Sequence, residues 1–169
     1  LRDIGTIETE LILADLETVS GSLSKAERAA KGKDPEAILR VEALTTLQPV
    51  LNQGIPARTV EFSRPELVKA VKSLGLISAK RILYIANVDE NDLHGTGPLS
   101  QKVREHAAKV GAEVVPVCAK IESELSELPP EDKLEMLQSL GLEEPALNAV
   151  ARAAYKLLHV QSYYTAGPK

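Results

Sequence analysis

The sequence predicts an α/β protein in which two parallel strands and their helices are preceded by a long helical hairpin. Three observations support this fold class. Apolar residues recur every three or four positions through most of 1–52, which is the period of an amphipathic helix. Two runs rich in strand formers, 81–86 and 112–118, flank one helical pattern, an order typical of a parallel βαβ unit. Polar residues follow both runs, where open α/β sheets bind ligands.

Composition limits the classes of function. The 169 residues are 44% hydrophobic, which suits one domain or a domain with an appendage. A net charge of -4 argues against a surface generally coated by nucleic acid, so any RNA contact has to be local. The one cysteine, Cys118, excludes an intramolecular disulfide and indicates a reducing compartment. No apolar run approaches the roughly 20 residues that cross a bilayer, so we expect a cytoplasmic protein with no membrane partner.

Residues 1–60 predict an antiparallel, coiled-coil-like helical hairpin arm. The first helix runs from about Thr6 to Lys31 and ends at Gly32, a residue type that favours the left-handed cap. Asp34 then caps a second helix whose first residue is Pro35. The side chains expected to face inward on the two helices are Ile4, Ile7, Leu11, Ala14, Leu16, Val19, Leu23, Ala26, Ala30, Ile38, Val41, Leu44, Leu47 and Leu51.

The tip of this arm is basic. Its cations are Lys25, Arg28, Lys31, Lys33 and Arg40. One interpretation is a solvated helix face with an ordinary pair between Glu27 and Lys31 on successive turns. The other is a contact with the phosphate backbone of RNA by a local positive patch on an otherwise acidic protein. The sequence leaves both interpretations open.

Residues 61–160 predict the α/β part. We expect Ser63 to cap a helix before the first strand, Pro98 to open the helix between the strands, and further helices at 130–140 and 145–159. The loop residue His94 is expected at the surface, because no second His or Cys lies at metal-ligand spacing. The side chains expected to face inward on these helices are Leu67, Val68, Val71, Leu74, Leu99, Val103, Ala107, Val110, Leu147, Val150, Ala151, Ala154, Leu157 and Leu158.

The ends of the two strands predict one concave site. The first strand is followed by Asn87-Val88-Asp89-Glu90 and the second by Cys118-Ala119-Lys120. Because the carboxyl ends of parallel strands meet at the same edge of a sheet, the two segments are expected side by side. An amide followed three residues later by a carboxylate is suited to reading a base edge. The alternative is that both segments are loops without a ligand.

Several stretches resemble, in collinear order, the Obg-like ATPases of the YchF type. They are ETELILADLETV, IPAR, LYIANVDENDL, GAEVVPVCAKIESEL and LLHVQSYYTAGPK. The resemblance covers essentially the whole chain. It implies a segment of a longer protein, in agreement with the absence of an initiator Met at Leu1. The segment is expected to hold the arm at 1–60, the C-terminal half of a parallel-sheet P-loop nucleotide-binding domain at 61–160, and the opening strand of a truncated TGS domain at 161–169.

The resemblance also implies roles at the predicted site. Many GTPases of this fold carry Asn-Lys-x-Asp, in which the Asp accepts hydrogen bonds from guanine N1–H and the 2-amino group. Here Val88 and Glu90 replace the Lys and the Asp; the longer Glu90 crowds that position and adenine has no 2-amino donor, so a preference for ATP over GTP is implied. Asn87 is expected at the purine edge and Val88 beside the base. Cys118-Ala119-Lys120 resembles a Ser-Ala-Lys loop whose Lys stem covers the ring, with Cys118 placing a thiol near the nucleotide.

The implied parent protein is a ribosome-associated ATPase that binds ATP or GTP with Mg²⁺ and contacts the ribosome or RNA. The chain contains no G-x-x-x-x-G-K-[ST] stretch, the motif that cradles phosphates and provides a magnesium ligand. We therefore predict that the segment alone is catalytically inactive and holds no metal of its own. The alternative is a non-catalytic interaction module whose helical arm binds protein or RNA. A phosphate loop upstream in the reading frame would discriminate the two.

Overall fold

The computed structural model describes residues 1–167, and the chain forms two compact units, Leu1–Arg81 and Ile82–Lys169. The first unit extends beyond residue 60, the predicted end of the arm, because the helix that follows the hairpin packs on it. The last two residues of the predicted 161–169 segment lie outside the described residues. Within the described part of the chain, no helix is long and apolar enough to cross a membrane.

The predicted hairpin is present in the first unit. Helix α1 spans Arg2–Ala30 and packs along α2, which spans Pro35–Asn52. The Asp34 side chain accepts a hydrogen bond of 3.1 Å from the Glu36 N–H, which confirms the predicted cap. The predicted left-handed glycine is wrong: Lys33 takes that conformation, with φ 59°. The Gly32 and Lys33 N–H groups still bond to the last turn of α1, so the reversal comes one residue later.

A short 3-10 turn at Ala57–Thr59 and helix α3 at Pro65–Lys72 complete the first unit. Its core consists of Ile12, Val19, Ala43, Leu44, Leu47, Leu51, Ala57, Leu67, Val71 and Leu76. Four side chains predicted inward are exposed, namely Ile7, Ala14, Ile38 and Val68. In the first half of α1 the buried face is centred on Ile12 and Asp15 instead.

The predicted cap of α3 by Ser63 is wrong. Arg64 holds the cap position, and no side chain caps the helix. The Arg64 guanidinium instead forms an ion pair with Glu42 of α2, and this hydrogen bond and the charge of Glu42 raise the Arg64 pKa. The residue at the cap position of α3 therefore contacts α2, where the sequence suggested a local cap.

The second unit contains the predicted βαβ arrangement. Strands β1, Leu83–Asn87, and β2, Glu113–Val117, pair in parallel, with Leu83 opposite Glu113 and Asn87 opposite Val117. Helix α4, Pro98–Lys109, joins them and contacts both strands. Within β1, Ile85 is 56% exposed although it is apolar. Successive strand residues point to opposite faces, and the face of Ile85 is the less covered one.

Three helices follow β2: α5 at Ala119–Glu127, α6 at Pro130–Ser139 and α7 at Ala146–Leu158. Helix α5 was not among the predicted helices, although Ile121 and Leu125 are four residues apart on it. These two residues form the second core with Cys118 and Leu137.

Several inward-facing predictions in this unit are wrong. The exposed residues are Leu99, Val110, Leu147, Ala151 and Leu158. On α7 the buried residue is Ala153, and a residue without a long side chain lets the helix backbone approach its neighbours closely. The opening strand expected within 161–169 is not found in its described part, since 161–167 contain neither helix nor strand. A strand requires a hydrogen-bonded partner, and none pairs with this stretch among the described residues.

Candidate functional site

The two polar segments leave the sheet at the same point. Asn87 ends β1 opposite Val117, which ends β2. The pairing continues one step further, because the Val88 N–H donates to the Val117 carbonyl at 2.9 Å. The structure therefore brings the predicted segments 87–90 and 118–120 side by side at the carboxyl edge of the strands.

Side chains connect the segments directly. Asn87 Oδ1 accepts a hydrogen bond of 3.4 Å from the Ala119 N–H, and the Lys120 ammonium forms an ion pair with the Glu90 carboxylate. The hydrogen bond that Lys120 donates to Glu90, and then the charge of Glu90, raise the Lys120 pKa. The Lys120 and Glu90 side chains are 66% and 46% exposed, so solvent screens their attraction and opening the pair for a ligand costs little.

Two of the predicted site residues direct their side chains away from the open edge. Val88 is half-buried and packs against the second core. Cys118 is 7% exposed and belongs to that core with Ile121. The Cys118 side chain is therefore buried, and a thiol near a nucleotide stays a prediction. Cys118 instead acts as a small hydrophobic residue beneath the loop, and only its backbone lies at the strand end.

Asp92, which was not among the predicted site residues, organises the loop after β1. The Asp92 carboxylate accepts hydrogen bonds from the Thr96 N–H at 2.6 Å, the Gly97 N–H at 2.7 Å and the Ser100 hydroxyl at 2.6 Å. The Ser100 bond and the Gly97 N–H are the main causes that lower the Asp92 pKa. A Cβ at Gly97 would lie 2.7 Å from Asp92 Oδ2, so this contact requires glycine. An Asp shortly before Thr-Gly-Pro was the available signal.

No metal centre can be assigned within residues 1–167. No group of three His, Cys, Asp or Glu side chains there could hold a metal ion. His94 is exposed, and its carbonyl accepts a hydrogen bond from Arg104. The described residues do not fit Mg²⁺ as a resident ligand set, so no chemical step is assigned to that ion on this chain.

The basic arm tip is open to solvent. Four of its cations are exposed, namely Lys25, Arg28, Lys31 and Lys33. Among the described residues, none of the four forms an ion pair. The ordinary pair between Glu27 and Lys31 is thus not formed. Arg40 differs from them, since its guanidinium donates to the Ser73 hydroxyl at 3.4 Å.

The second unit is a parallel βαβ arrangement with joined polar segments at its strand ends, and this defines a protein of the α/β class. The structure of the Schizosaccharomyces pombe YchF GTPase matches this fold with a TM-score of 0.77, at 22% identity, over 93% of this chain and 43% of that chain. The predicted α/β fold class is therefore confirmed.

Sequence comparison identifies the family. Proteins named ribosome-binding ATPase YchF are 47% identical in Haemophilus influenzae, 44% in Bacillus subtilis and 43% in Escherichia coli O157:H7, over 100%, 99% and 99% of this chain. No protein-family model matches the chain. The chain belongs to the YchF family, which confirms the predicted resemblance. It spans 46% of the length of each of these relatives.

Proposed function

We propose that the chain supplies the base-reading side of a purine-nucleotide site, together with a ribosome-contacting arm, in an ATP-hydrolysing cytoplasmic protein. The observation that carries the first part is the joining of the segments 87–90 and 118–120 at one strand edge. The names of the relatives support the second part. ATP or GTP would bring Mg²⁺ in the intact protein, where the ion neutralises phosphate charge.

The contacts of Asn87 suggest how a purine is oriented. Because Asn87 Oδ1 accepts from the Ala119 N–H, its amide N–H groups remain to donate to a purine acceptor. The aliphatic part of Lys120 covers the ring, while its ammonium stays near Glu90. The packing of Val88 beside the base remains a prediction, since its side chain also contacts the core.

Glu90 is proposed as the element that favours ATP. The Glu90 side chain is one methylene longer than the Asp side chain that reads guanine, and its carboxylate forms an ion pair with Lys120. Adenine has no 2-amino group to donate to such a carboxylate. The site therefore lacks the paired hydrogen bonds that select guanine, which relaxes or reverses guanine preference.

The test restores the guanine-reading tetrapeptide in the intact protein with Val88→Lys and Glu90→Asp. A regained hydrogen-bonded pair raises the ratio of GTP to ATP affinity by about 5- to 150-fold, measured by competition with a labelled nucleotide. Glu127→Asp, at an exposed position of α5, is the matched control and leaves the ratio unchanged. An unchanged ratio in the folded double variant would assign selectivity to the backbone at 118–120.

For the arm, we propose that Lys25, Arg28, Lys31 and Lys33 contact ribosomal RNA. Replacing all four with Glu in the intact protein should weaken ribosome co-sedimentation and flatten its salt dependence, because each neutralised phosphate adds about 0.7–0.9 to the logarithmic slope. Lys102→Glu with Lys109→Glu, both exposed on α4, is the control for charge reversal away from the tip, and it is compared with Lys31→Glu with Lys33→Glu, which changes the net charge by the same amount. If the four-residue variant co-sediments with ribosomes as well as the wild-type protein does, the tip is only a solvated helix face.

The alternative proposal is a non-catalytic module that binds protein or RNA through its arm. It is supported by the separate core of the first unit, which extends from α1 to Leu76. Nucleotide hydrolysis separates the two proposals. ATP turnover by the intact protein that is lost on removal of its phosphate loop supports the ATPase, whereas an intact protein without turnover supports the module.

A further inference from the structure

The first unit contains an apolar groove beside α3 that neither the base site nor the arm tip uses. It is formed by residues between the 3-10 turn at Ala57–Thr59 and Arg81 and has a volume of about 950 Å³. We call it the α3 groove. Its floor includes the buried side chains of Val71 and Leu76 and the half-buried ring of Phe62. Concave apolar surfaces of this size are typical of binding sites.

The rim of the α3 groove is positively charged. Lys72 and Lys80 line it and are exposed, and within the described part of the chain no ion pair is recorded for either. Arg58 also lines the groove, but it forms an ion pair with Glu8, with 3.6 Å between Arg58 Nη2 and Glu8 Oε1. The lining contains one acidic residue, Glu61. On a chain with net charge -4, this rim is a local site for carboxylates.

Val68 adds an apolar lip between the floor and solvent. The helical pattern of α3 predicted that it would be buried, yet it is 48% exposed and lines the groove. An exposed aliphatic side chain next to a buried apolar floor gains from removal from water. A partner side chain that enters the groove would cover both Val68 and the floor.

We propose that the α3 groove binds an acidic segment of another protein, which inserts an aliphatic or aromatic side chain onto the floor and places carboxylates beside Lys72 and Lys80. Apolar anchors in a groove with charged flanks are a recurring mode of peptide recognition. RNA is a poorer occupant, because single strands need a track of cations and exposed rings for stacking. Arg58, Lys72, Lys80 and Arg81 all line the groove, but its one aromatic ring, Phe62, is half-buried and offers no exposed face for stacking.

The first experiment measures binding of labelled probes to the 169-residue chain by fluorescence anisotropy. The main probe is a 14-residue peptide of Glu with Leu at helical spacing. The comparison probes carry Ser for Leu or Lys for Glu, and a 14-nucleotide single-stranded RNA is the third. Saturable binding of the Glu/Leu peptide, at least about tenfold tighter than each comparison probe, is the expected result. Equal binding of the RNA or the Ser peptide overturns the proposal, as does no saturation by about 1 mM.

The second experiment locates the binding. Val68→Asp and the pair Lys72→Glu with Lys80→Glu should each weaken the Glu/Leu peptide at least about fivefold, because they place negative charge on the lip or rim. These side chains are exposed, so the variants are expected to fold, and far-UV circular dichroism verifies this.

Lys69→Glu is the matched control. Lys69 belongs to α3 but lies beside Glu36 and Arg40 on another surface, so its reversal should change affinity less than about twofold. A control effect equal to that of the groove variants refutes the location. Binding by the 169-residue chain but not by the intact protein also overturns the proposal, since another part of the protein then covers the groove.

Discussion

The buried carboxylate of Asp15 provides the sharpest test of how the first unit is held together. Asp15 is 3% exposed in the middle of α1. Its two oxygens accept hydrogen bonds from the Ile77 N–H at 2.8 Å and the Ser78 N–H at 2.6 Å. Ser78 is itself buried, and its hydroxyl accepts from the Ala57 N–H at 3.1 Å. Asp15 therefore ties α1 to the chain that follows α3.

Asp15→Ala leaves both N–H groups without their acceptor. A buried unsatisfied donor costs about 1–3 kcal/mol, and the Ser78 bond is buried while the Ile77 bond is partly buried. Better helix propensity of Ala returns about 0.5 kcal/mol. We expect the free energy of unfolding of this unit to fall by about 2–4 kcal/mol. Asp15→Asn retains one acceptor oxygen and should lose about half as much.

Urea unfolding followed by far-UV circular dichroism measures the loss, and amide hydrogen exchange at Ile77 and Ser78 locates it. Glu17→Gln, two residues along α1 and exposed, is the control, with a change within about 0.5 kcal/mol. If Asp15→Ala matches this control, or if the two amides keep their protection, Asp15 does not carry the connection.

Three further predictions concern the second unit and the whole chain. The Asp92 pKa lies below its ordinary value, so the ionised carboxylate stabilises the fold above about pH 4, and this stabilisation is lost as pH falls through the lower pKa of the folded state. Asp92→Asn should therefore flatten the dependence of the melting temperature on pH between about pH 4 and about pH 2. An unchanged dependence would contradict this. Cys118→Ser should lower the free energy of unfolding by about 1–3 kcal/mol, because it buries a hydroxyl in an apolar cluster. Equal urea midpoints for the wild-type protein and Cys118→Ser would show that the Cys118 side chain has no packing role. The 169-residue chain should release no phosphate from ATP with Mg²⁺ above a buffer blank. Phosphate release would show that this segment itself contains catalytic residues.

The order of the main elements was predictable because its signals are local. Asp34 with Pro35 marked the start of α2, and the same two residues hold those positions in the structure. The two strand-forming runs paired in parallel, as a strand–helix–strand order requires. Helix α5 was missed because its first residues were interpreted only as the polar end of β2. Its apolar spacing between Ile121 and Leu125 was present but short.

The candidate site was predictable in its position and not in its side-chain directions. Sequence order alone implied that 87–90 and 118–120 meet, since parallel strands end at one edge. The direction of Cys118 depended on α5 and α6, whose Ile121, Leu125 and Leu137 surround it. The hydrogen bonds of Asp92 depend on the conformation of the loop up to Gly97. The spacing of apolar residues does not predict the conformation of a loop.

The sequence by itself determined the family resemblance, the hairpin, the parallel strand pair and the edge of the sheet at which the segments 87–90 and 118–120 meet. Tertiary structure decided which faces of the helices are buried. Periodicity favoured Ile7 and Ala14 on α1, yet the structure exposes both and buries Asp15. A carboxylate is stable inside a protein only when hydrogen-bond donors reach it, and the donors of Asp15 come from residues 62 and 63 positions away. No local pattern in the sequence contains that contact.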